Sequence, residues 1–72
     1  MTYIVSSQAH GAGSLSQRTD DVNDALRRAR QMSETGLIGI QIKDNAGNSI
    51  SGDDLVDCIE GRKTLTPDLK AV

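Results

Sequence analysis

A chain of 72 residues that is 36% hydrophobic, with one Tyr and neither Phe nor Trp, has room for one domain around a small aliphatic core. With 25% charged residues and a formal net charge of -2, the composition excludes disorder throughout and argues against general nucleic-acid binding. The single cysteine, Cys58, excludes an internal disulfide and suits a reducing compartment, so a cytoplasmic location is expected.

The first residues carry no basic n-region. Their apolar run, Tyr3 to Val5, is far too short for a signal peptide or a membrane span, so no membrane association is expected. Thr2 to Ser6, TYIVS, is rich in β-branched and aromatic side chains and predicts a first strand. Gln8 to Arg18, QAHGAGSLSQR, has glycines, small residues and one large apolar side chain, which predicts a mobile connection with room for a short strand at Ser14 to Ser16.

From Asp20 to Thr35 the apolar positions Val22, Ala25, Leu26, Ala29 and Met32 follow one helical face. Thr19 or Asp20 can cap the start, Asp20, Asp21 and Asp24 sit at the positive end of the helix dipole, and Gly36 marks the stop. Leu37 to Lys43, LIGIQIK, alternates with a period of two and predicts a strand that turns Ile38, Ile40 and Ile42 toward the helix. Asp44-Asn45-Ala46-Gly47 suits a type I turn with a glycine bulge, and Asn48 to Ser51 makes the return strand. Ser51 and Asp54 form a capping-box-like S-x-x-D ahead of a short helix that carries Leu55, Val56 and Ile59 and ends at Gly61.

These elements predict a small single α+β domain over residues 1–61, in β-α-β-β-α order. One amphipathic helix packs on a three-stranded mixed sheet, a short C-terminal helix follows, and 62–72 is a flexible tail. If the first crossover is a right-handed βαβ unit, strands one and two are parallel neighbours.

The chemical motifs weaken on inspection. Asp44 to Leu55, DNAGNSISGDDL, resembles a calcium loop in composition, but aligning Ile50 with the hydrophobic position puts Lys43 at the first ligand place and Asn48 where the sharp turn needs glycine. No metal is expected. His10 to Ser14, HGAGS, could expose backbone N–H groups to a phosphate, yet about six residues separate it from the helix and neither the P-loop lysine nor G-x-G-x-x-G is present. Nucleophilic catalysis would need Cys58 or a serine to meet His10, the chain's single histidine, with an orienting acid. Cys58 instead falls beside Leu55 and Ile59 as a small core hydrophobe. No catalytic residue and no cofactor site is assigned.

Two function classes remain. The first is a non-enzymatic module that binds another protein or itself. If Tyr3 and Val5 join the isoleucines beneath Val22, Leu26 and Met32, the opposite sheet face carries Ile4, Leu37, Gly39 and Gln41 as a candidate partner surface. The alternative is weak nucleic-acid binding by Arg27, Arg28 and Arg30, which the intervening acids and the lack of an exposed aromatic platform disfavour.

Overall fold

The computed structural model describes residues 2–8 and 14–72. In chain order its elements are β1 (Tyr3–Gln8), β2 (Ser14–Thr19), α1 (Val22–Glu34), β3 (Ile38–Asp44), β4 (Ser49–Ser51) and α2 (Gly52–Ile59). The small α+β domain read from the sequence is present, with the sheet packed against helices.

The sheet is not three-stranded and mixed. Its order is β2-β1-β3-β4, and each neighbouring pair is antiparallel. The cause is β2. The Ser- and Gln-rich segment pairs along β1 from Tyr3↔Thr19 to Gln8↔Ser14, and this hairpin reverses the chain once more before α1. β3 therefore returns antiparallel to β1, and α1 crosses over β1 to connect β2 with β3. Residues 9–13, with His10 and the phosphate-loop reading, lie outside the described residues.

α1 forms where its periodicity places it, burying Ala25, Ala29 and Met32 with Val22 and Leu26 at the margin. Its N-cap is Asp21, whose side chain accepts the Asn23 N–H at 3.0 Å, because Thr19 is still the last residue of β2. The Thr19 hydroxyl instead donates to Asp24 at 2.8 Å. The helix closes in a Schellman motif, Leu37 N–H to Met32 C=O at 3.1 Å and Gly36 N–H to Ser33 C=O at 3.1 Å. α2 ends in the same pattern at Gly61 and Arg62. Ser51 does occupy the N-cap of α2, but its side chain makes no capping bond.

The β3–β4 turn matches its sequence. Asp44 Oδ1 accepts the N–H groups of Ala46 at 2.9 Å and Asn48 at 2.8 Å, and Gly47 sits at φ +92°, where a side chain would be strained. Burial alone would raise the Asp44 carboxyl, but bonds from Asn48, Ala46 and Gly47 hold it below the usual carboxylate range.

The core lies between the sheet and the two helices: Tyr3, Val5, Ile42 and Ile50 from the strands, Ala25, Ala29 and Met32 from α1, Leu55 and Cys58 from α2. Leu65 and Leu69 complete it, which overturns the flexible tail expected over 62–72. That segment folds on itself through Thr64 N–H to Val72 C=O at 2.8 Å and Thr66 N–H to Lys70 C=O at 2.9 Å, with a bridge at Leu65↔Ala71. The Tyr3 hydroxyl donates to the Pro67 carbonyl at 2.8 Å. A sheet this small leaves core uncovered beyond α2, and burying two leucines offsets the left-handed backbone at Leu69, φ +61°.

Candidate functional site

The alternation expected along β3 fails at one residue. Between Ser6 and Gln8 of β1 the register slips, so β3 spends three steps, Gln41 to Ile38, where β1 spends two. Gly39 takes up the extra residue at φ +64°, a bulge conformation open to glycine. Because strand side chains alternate, this slip sends Ile38 to the opposite sheet face from Ile40 and Ile42. Ile42 is fully buried, Ile40 is partly buried against the core, and Ile38 is 60% exposed. The expectation that all three isoleucines face the helix holds for two.

β4 pairs with β3 only at Lys43↔Ser49, Ile42↔Ile50 and Gln41↔Ser51. At Gly52 the chain leaves the sheet to begin α2. Among the described residues, Ile38 to Ile40 therefore have no strand partner on the side away from β1. A cleft of about 600 Å³ opens there, between the free end of β3 and α2. Leu37, Ile38 and Ile40 form one wall and Leu55, Val56 and Ile59 the other, with Gln8, Ser33, Gln41 and Ser51 as polar edges. Among the described residues, no ionisable side chain lines it. Val56 is 43% exposed because the buried face of α2 runs through Leu55 and Cys58, about 100° around the helix.

The four candidate surface residues do not form one open patch. Ile4 and Gln41 lie on the sheet face away from the helices, Ile4 at 40% exposure between Arg18 and Lys43 in the strand register. Gly39 is the bulge. Leu37 is not on that face: as the residue closing the Schellman motif of α1 it is partly buried against the core. Leu37, Gly39 and Gln41 nevertheless all line the cleft, and Ile4 does not. Ile38 and Val56, the exposed rim, were missed because a period of two runs straight through Gly39 and because Val56 was grouped with the buried face of its helix.

The alternative site is occupied by its own neighbours. Arg27 and Arg28 both bond Asp24, Arg28 at 2.8 Å, and Arg28 also reaches Gln17. These bonds, with that of Thr19, hold the Asp24 carboxyl well below the usual carboxylate range. Arg30 faces Glu34 at 3.5 Å. The Cys58 thiol is buried, and desolvation, then the nearby Asp57, pushes its pKa up, opposite to what a nucleophile needs.

Among the described residues no group of three or more His, Cys, Asp or Glu gathers as a metal site, and no helix is long and apolar enough to cross a membrane. Comparison with protein-family models, with curated proteins and with solved structures finds no significant match. The chain stands as a small, compact α+β domain with, among the described residues, a cleft free of charged side chains beside an unpaired strand end.

Proposed function

We propose that this chain is a non-catalytic interaction module, a small accessory or regulatory domain that binds another protein at the cleft between β3 and α2. The observation that carries this reading is the exposure of Ile38 and Val56 on the rim of an apolar cleft, where a monomer gains nothing by leaving them in water. The neutral lining supports binding over acid–base or nucleophilic chemistry. A reducing, cytoplasmic setting suits a fold with one buried thiol.

Site-specific photo-crosslinking in the source cell tests it. A crosslinking residue at Ile38 or Val56 is expected to trap a discrete protein adduct, and one at Arg27, on the exposed side of α1, is not. Equal trapping from all three positions, or adducts to nucleic acid from Arg27, would overturn the reading.

A further inference from the structure

We infer that the occupant of the cleft is a short, extended, uncharged peptide segment of a partner protein, added as a strand against Ile38 to Ile40 of β3. This rests on the interaction-module reading and goes beyond it by naming the ligand's chemistry. Three features of the cleft specify that chemistry. One wall is a strand end without a strand partner among the described residues on the side away from β1, so the site offers main-chain hydrogen-bonding groups at the spacing of a sheet. The opposite wall is the apolar flank of α2, so alternate side chains of an added strand meet Leu55, Val56 and Ile59. The lining holds no Asp, Glu, Lys or Arg, so a charged side chain entering it would be desolvated without a counter-charge.

Area argues against a second copy as the occupant. The free stretch of three residues is about 10 Å long. Two such stretches paired across a two-fold axis bury far less than the roughly 800 Å² per partner typical of a stable dimer. A flexible segment has no such demand, because it places only its own few residues in a cleft of about 600 Å³, within the range of ligand-sized sites. The segment is also short by construction. β4 fills the same lane of the sheet up to Ser51, so an added strand must stop or turn away where α2 begins.

The test is an amide NMR titration of the whole chain with the capped pentapeptide acetyl-Thr-Val-Thr-Val-Thr-amide at millimolar concentration. Two further versions are N-methylated at alternate residues, one in each phase. Strand addition is expected to shift the amides of Ile38 to Gln41 and of Val56. One methylation phase is expected to weaken binding at least tenfold and the other to leave it within about twofold, because only one set of N–H groups faces β3. Val56→Glu should weaken the parent peptide in the same way while the rest of the spectrum stays folded. If both methylated peptides bind like the parent, the cleft takes side chains without strand pairing; the strand proposal falls and the interaction module stands. If no peptide shifts these amides although Ile38 crosslinks a protein, the occupant is not an extended segment. If the amides shift with protein concentration alone, the occupant is a second copy.

Discussion

The two ends of β3 sit in opposite surroundings. At the Asp44 end, Ile42 lies between Val5 and Ile50 with strands on both sides, and a hydrogen-bonded turn fixes the register. At the Ile38 end the strand is bulged and, among the described residues, has a strand neighbour, β1, on one side only. The same side-chain type is core at one end and rim at the other. Hydrophobic identity therefore says little by itself about burial in a strand; register and neighbouring strands decide it.

The sharpest way to break this contrast is to put a charge at each end. Ile42→Lys is expected to unfold the domain, since its ammonium would be buried without a partner, whereas Ile38→Lys should change stability by no more than about 0.5 kcal/mol. Thermal melts followed by circular dichroism decide it, and equal losses would mean that Ile38 is covered. Next in size is Leu69→Ala, which removes a buried side chain from the C-terminal segment and should cost about 2–5 kcal/mol in urea unfolding. A cost near zero would restore a loosely held tail.

Two glycines, Gly39 inside β3 and Gly47 in the turn after it, sharpen the comparison further. Gly47→Val should cost about 1–2 kcal/mol from backbone strain alone, because the space around it is open. Gly39→Val should cost a similar amount, since its Cβ would meet the Gln8 side chain only at an ordinary 3.4 Å contact and the strain at φ +64° is again the main effect. No loss at Gly39 in a melting series would argue against the bulge. Opposite that bulge, the buried Ser7 hydroxyl has no hydrogen-bond partner among the described residues, so Ser7→Ala is expected to be neutral or stabilising by up to about 1 kcal/mol. A clear loss would reveal a bond at the bulged end.

The smallest effect belongs to the regular end. The Asp44 carboxyl is held below its ordinary value in the folded chain, so its contribution to stability is complete above the unfolded pKa of about 4 and is lost as pH falls through the folded one. Asp24, lowered by its arginines, has the same sign. Asp44→Asn should flatten the decline in melting temperature below about pH 4, and Asp24→Asn should do so over a range extending to lower pH. An unchanged slope in both would remove these carboxylates from the acid response.

What could be read from the sequence was what local chemistry dictates. α1 announces itself through its apolar period and its glycine stop, and the β3–β4 turn through Asp44 and Gly47. β2 was legible only as room for a short strand at Ser14 to Ser16, because Ser14 to Thr19 has weak strand propensity and is extended by pairing with β1. Leaving it out of the element order reversed the expected direction of β1 relative to β3, so one undercounted element produced the wrong topology. The cleft was half legible: Leu37, Gly39 and Gln41 were singled out, but on the assumption of unbroken alternation. A glycine inside an alternating run is the signal that could have raised the bulge. Leu65 and Leu69 gave only a faint one, two leucines around Pro67 without helical or strand periodicity, because their burial depends on a gap that exists only once the sheet and α2 have met.

The hydroxyl of Tyr3 bonded to Pro67 has an optical consequence. Tyr3 is the single tyrosine of a chain with neither Phe nor Trp, so its near-ultraviolet absorption, dichroism and emission arise at one place, where the first strand meets the C-terminal segment. With no tryptophan to drain its excited state, the tyrosine signal reads the closure of that junction without labelling. It is blind to events at Ile38. Separation of the C-terminal segment from the core and occupation of the cleft can thus be followed in the same sample, the first by tyrosine fluorescence and the second by amide resonances.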